Sequence, residues 1–194
     1  MTAFVLGNGR SRENIDVDLL LTLGSVYGCN ALYRTHTVTA LVATDAPIAQ
    51  AIQDSGYSQQ NRFYTRRPRP GTGAMIVPKP YHGFSSGPIA AGLAALDGHI
   101  EIYLLGFDLG SPPGGKFNNI YADTEFYKPS FAEPTFSGNW IKQIKTVAQD
   151  FPSSRFFRVH GPSTAEVPEL LDVKNLLRMD LGDFLRRINT SKDL

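Results

Sequence analysis

Short apolar runs closed by glycine or polar turns alternate along this chain with stretches of helical periodicity. That alternation predicts an α/β fold, a Rossmann-like and mostly parallel sheet with helices on both faces. The run Ala3-Phe4-Val5-Leu6 reads as a buried central strand. Residues 12–23 carry Ile15, Leu19, Leu20 and Leu23 at helical spacing behind Ser11 as N-cap. Strands are expected over 26–33, 37–44, 62–65, a buried 74–77, 101–107 and a last one over 155–159. Helices are expected over 47–55, 87–96, 139–150 and a closing 176–188. Residues 110–138 are rich in Gly, Pro, Asn and aromatics, with weak periodicity, and read as one long loop or lid.

The 194 residues fit a single domain over 1–194. An apolar share of 42% against 19% charged is globular composition rather than disorder. The net charge of +1 does not indicate nucleic acid or an anionic membrane as a partner. The one cysteine, Cys29, allows no intrachain disulfide. The opening apolar run is too short for a signal peptide, and no run approaches the roughly 20 residues of a membrane span. A cytoplasmic protein is therefore expected; the sequence leaves its oligomeric state open.

In a parallel sheet, ligands bind beyond the carboxyl ends of the strands. Gly7-Asn8-Gly9-Arg10-Ser11 follows the first strand and opens a helix. Glycines let backbone approach a ligand, free N–H groups at a helix start favour anions, and Asn8 offers donor and acceptor. A plain strand-to-helix turn is the alternative. Asn30 closes the second strand and reads as a ligand contact or an Asx turn. Asp45 follows the third. Ser85-Ser86-Gly87 opens the alanine-rich helix and suits a phosphate or ordinary capping. Asp108 ends Gly106-Phe107-Asp108, where it would serve a ribose, a base or acid–base chemistry, or else be a buried carboxylate bonded to loop N–H groups.

Other patterns carry less. Asp16-Val17-Asp18 falls inside a predicted helix, where residues i and i+2 do not face one another, so no metal site is expected there. His36, His82, His99 and His160 lack metal-ligand spacing; His82, in the loop before the serines, is the general-base candidate by position. Arg62, Arg66, Arg67 and Arg69 either grip phosphates or form a solvated loop.

In order, VLGNGRSRENID, GCNALYR, FSSGPIAAGLAAL and IEIYLLGFDLG resemble the bacterial sialyltransferases of glycosyltransferase family 42 and the related DUF115 group, over most of residues 3–160. A short, phage-encoded relative would fit this length, and would act in the host cytoplasm. The resemblance implies that Asn8, Ser11, Asn30, Ser86 and Gly87 hold a nucleotide, cytidine-linked in that family; with Gly7, Gly9, Asp45 and Ser85 they make up the expected nucleotide site. It further implies that Tyr121 and Tyr127 hold the leaving phosphate. The chain departs from the family at Gly83, where an arginine is expected, at Asp45, where an asparagine is, and over 135–138, which lacks the family's histidine.

The expected function is metal-independent transfer from a nucleotide sugar, with no tightly bound cofactor and an acceptor the sequence does not identify. Asp108 or His82 would be the base. The alternatives are a diphosphotransferase of the DUF115 type, a nucleotide-binding protein without turnover, or a module that docks a partner through the aromatic segment 117–140.

Overall fold

The structure, a computed structural model, describes residues 1–111 and 114–190. Among them, eight strands form one sheet, and every neighbouring pair is parallel. They are β1 (Thr2–Leu6), β2 (Ser25–Cys29), β3 (Ala40–Val42), β4 (Phe63–Thr65), β5 (Met75–Ile76), β6 (Glu101–Leu105), β7 (Arg155–His160) and β8 (Leu176–Asp180). The order across the sheet is β5-β4-β3-β2-β1-β6-β7-β8. The chain thus builds outward from β1 to β5, then crosses back to lay β6 on the other side of β1. The switch point lies between β1 and β6, where Leu6 pairs with Leu105.

Alternation along β1 explains the two layers. Ala3 and Val5 join the core under α4 (Ser86–Leu96) and α5 (Gly138–Asp150). Phe4 and Leu6 join the core on the other face, under α1 (Val17–Leu23), α2 (Ala46–Asp54) and α6 (Leu181–Thr190). The short helix α3 (Tyr57–Gln60) leads into β4. The small side chains of α4 let it lie flat on the middle of the sheet, and nearly every residue of it is buried. No helix of the described residues is long and apolar enough to cross a membrane.

Several expected elements differ. Residues 12–16 are not α-helical: Arg10–Arg12 is one 3-10 turn, and α1 starts only after Asp16, whose carboxylate caps the Leu19 N–H at 3.1 Å. Asp16, not Ser11, is therefore the cap. The second strand stops at Cys29, because Asn30 takes φ of 54° and opens a 3-10 turn, Asn30–Arg34. The strand at 75–76 is not buried; Met75 and Ile76 sit exposed on the sheet edge. The stretch 176–180 is not helix but the opposite edge strand, β8, and the closing helix follows it.

At the carboxyl end of β7, His160 is largely buried near Arg158, Arg178, Glu166 and Asp180. Burial first, then the two arginine charges, lower its pKa from 6.5 to about 4, against the pull of both carboxylates. The unfolded chain takes up this proton near pH 6.5 and the folded one only near pH 4, so stability present above 6.5 is lost as pH falls through that window. His160→Gln should flatten that limb. Urea unfolding at pH 7.5 and 4.5 checks it; equal losses in wild type and variant would refute the assignment.

Candidate functional site at the sheet switch point

The glycine loop is packed onto the end of β6. Gly7 N–H donates to Leu105 O and Gly9 N–H to Gly106 O, both at 2.8 Å, so the β1–β6 ladder runs two bonds past Leu6. A Cβ on Gly7 would lie 2.6 Å from Gly106 O, and one on Gly9 2.4 Å from Asp108 Cγ. Gly9 has φ of −65°, open to any residue. Closeness to Asp108, not backbone conformation, demands glycine there. The N–H groups expected to be free are mostly engaged: Arg10 N–H reaches Asn118 Oδ1 at 3.0 Å and Ser11 N–H reaches Asp108 Oδ2 at 3.1 Å.

Asp108 takes the second of its two expected arrangements. It is buried, and its carboxylate accepts from Ser11 N–H, Asn118 Nδ2 (3.0 Å), Ser163 Oγ (2.7 Å) and Thr164 Oγ1 (3.3 Å). Behind it the buried Arg158 donates to the carbonyls of Phe107, Asp108 and Ala165, each at 2.8 Å, and burial lowers its pKa to about 10. This hub fixes three loops: those after β1, β6 and β7.

The long segment lies over the loop. Ile120 N–H donates to Asn8 O at 2.9 Å. Tyr127 Oη accepts from Ala31 N–H at 3.3 Å and from Asn8 Nδ2 at 3.4 Å. Tyr121 packs beside it, ring centroids 5.5 Å apart, and its Oη accepts from Arg12 Nη2 at 3.3 Å. Burial raises both phenol pKa values, so both hydroxyls keep their protons near neutral pH. Arg34 holds the segment's tip at Thr124 Oγ1 and Glu125 O.

Asn30 and Ser86 meet beneath. Ser86 Oγ donates to Asn30 Oδ1 at 3.1 Å, accepts from Thr44 N–H at 3.1 Å, and lies 3.1 Å from Thr44 Oγ1. Asn30, Asp45, Pro47, Ile48, Phe126 and Tyr127 enclose a cavity of about 110 Å³. The amide nitrogen of Asn30 has no hydrogen-bond partner among the described residues.

Arg12 also sits under the segment, and no sequence signal marked it. It is 5% exposed. Its Nε donates to Gly7 O, its guanidinium lies 5.9 Å from the Tyr121 ring centroid, and it makes no ion pair among the described residues. Cys29 donates to Leu6 O and, at 3.6 Å, to Asn8 Oδ1; burial pushes its thiol up to about 12, against the Arg12 charge.

The structure thus brings Asn8, Asn30, Asp45, Ser86, Tyr121 and Tyr127 to one edge. Other expected residues serve it differently. Gly7 packs on Gly106, Gly9 and Ser11 engage the Asp108 hub, and the Ser11 hydroxyl is buried without a partner among the described residues. Ser85 caps α4 by position only, while its N–H donates to Gln143 Oε1. A Cβ on Gly87 would stand in ordinary contact with the Phe107 ring, at 3.4 Å. His82 is exposed, with its carbonyl bonded to Arg66 and no partner on its ring among the described residues. Comparison with family models, curated proteins and solved structures found no match to this chain.

Proposed function

We propose that this protein binds a nucleotide or nucleotide sugar at the β1–β6 switch point and transfers the sugar without a metal held by protein carboxylates. The observation that carries the reading is Arg12. A buried guanidinium with no carboxylate partner is costly, and a phosphate is the ligand that would compensate it. Asn8 and the free amide of Asn30 supply nucleoside contacts in this reading, and Ser86 stands at the start of α4. In this reading the hydroxyls of Tyr121 and Tyr127 donate to the phosphate oxygens once the segment lifts and recloses over them. A cavity of about 110 Å³ is below the usual ligand range of ~300–1,000 Å³, so lifting is required.

A second reading, binding without turnover, is favoured by Asp108. Four donors hold its carboxylate, which makes it a positioning group for the loop rather than an available base. His82 then remains the only base candidate named by the sequence, and it is exposed.

Titration calorimetry with CMP, CDP and UDP, in magnesium and in chelator, tests the proposal. Arg12→Gln should weaken binding by about 1.5–3 kcal/mol, the worth of a hydrogen bond to a charged group, with thermal stability unchanged or raised. Tyr121→Phe and Tyr127→Phe should each cost about 0.5–3 kcal/mol. Undiminished affinity in all three variants would end the phosphate assignment. Hydrolysis or transfer of a nucleotide sugar, followed by product release, separates the two readings.

A further inference from the structure

Of the arginine run that the switch-point site leaves unused, Arg62 pairs with Asp97, and Arg66, Arg67 and Arg69 line a cavity of their own. It has a volume of about 480 Å³, inside the usual range for small-molecule sites. It opens beyond the carboxyl ends of β3 and β4, where parallel sheets place their ligands. One wall comes from the residues entering and forming α2: Asp45, Gln50 and Gln53. The other comes from the residues after β4: Arg66, Arg67 and Arg69. Thr65, 1% exposed, is also part of the lining.

Arg66 and Arg69 are held in place rather than loose. Arg66 is latched: its Nε donates to His82 O at 2.9 Å and its Nη2 to Gly83 O and Phe84 O at 3.2 and 2.8 Å. All three acceptors are neutral carbonyls, so the guanidinium is held in place with no carboxylate among the described residues to meet its charge. The buried Gln53 ties down the segment, its Oε1 accepting from Arg69 N–H at 2.8 Å and Thr72 Oγ1 at 3.1 Å. Arg69 pairs with Asp54, yet its Nε is buried with no partner among the described residues. Arg67 is exposed and has no partner among the described residues. Two arginine charges without an ion pair among the described residues therefore line this cavity, and Asp45, just before α2, and Gln50 offer polar groups.

We infer that this cavity binds a small hydroxylated phosphomonoester. The phosphate dianion would sit against Arg67 and Arg66, since guanidinium groups match phosphate oxygens in geometry and charge. The hydroxyls would donate to Asp45 and exchange hydrogen bonds with Gln50. The inference does not rest on the nucleotide reading. The two cavities share only Asp45.

Calorimetry on the whole chain, with glucose 6-phosphate, inorganic phosphate and glucose as probes, tests it. Saturable binding is expected for the sugar phosphate, weaker binding for inorganic phosphate, and none for glucose. Arg67→Ala and Gln50→Glu change exposed residues without partners, so both variants should keep the wild-type melting temperature. Each should weaken glucose 6-phosphate by about tenfold or more. Tyr127→Phe, at the other site, should leave that affinity unchanged. CMP binding should survive in Arg67→Ala, so failure at one site is distinguishable from failure at the other. No saturable binding of either phosphate at millimolar concentration would overturn the inference. So would equal affinity in wild type, Arg67→Ala and Gln50→Glu. Loss of binding in Tyr127→Phe would also overturn it, by moving the anion to the switch point.

Discussion

Replacing Asp108 by alanine should cost the fold about 3–5 kcal/mol. Four donors converge on this carboxylate, and hydrogen bonds to a charged group are worth about 1.5–3 kcal/mol each. The sum is discounted because Asn118 Nδ2 also reaches Gly110 O and Ser163 O, and the Ser163 and Thr164 hydroxyls are only partly buried. The Ser11 N–H has no other acceptor. Losses of this size take a large part of the roughly 5–15 kcal/mol that holds a domain folded. Denaturant unfolding measures it, with Asp108→Asn as the milder companion that keeps the shape and one oxygen. An alanine variant within about 1 kcal/mol of wild type would mean that the three loops hold one another without this hub.

Gly9→Ala should destabilise by about 1–3 kcal/mol or more, the range for overpacking. The added methyl would stand 2.4 Å from Asp108 Cγ and 2.7 Å from Gly106 O, and the carbonyl, part of the backbone, has little freedom to move. Gly83→Ala is the control. Nothing lies within 4 Å of its new Cβ, and its φ is not positive, so it should be neutral or slightly stabilising. Comparable melting temperatures for the two variants would show that the loop tolerates displacement, and would remove the packing reason for the second glycine.

The central part of the fold was legible because burial on both faces writes a simple pattern. Ala3–Leu6 and 101–105 are apolar at nearly every position, as a strand covered on two sides must be. β8 was not legible. Leu176-Leu177-Arg178-Met179-Asp180 is an edge strand with each face only partly covered, and its apolar residues run into those of α6 to imitate one longer helix. At the candidate site, Asn8, Asn30 and Ser86 were legible because each closes a strand or opens a helix at one end of the sheet. The reason for Gly7 and Gly9 was not. Their neighbours, Gly106 and Asp108, lie about a hundred residues on, and no local spacing encodes that approach. Arg12 looked like one charge in an amphipathic helix; the 3-10 turn that turns it inward depends on Asp16 capping a later start.

The strand order has a consequence for how the chain acquires its structure during synthesis. β1 sits at the middle of the sheet, but its partner on one side, β6, begins only at Glu101. Until that partner leaves the ribosome, β1 through β5 can pair only with one another. One backbone edge of this central strand then stays open, although α4, made before β6, is already at hand to cover one face of the half-sheet. Long-range parallel pairing of this kind is slow, because chain entropy is lost before any contact repays it. The nascent half-sheet is therefore the form of this protein most prone to aggregate, and the one on which a chaperone would act.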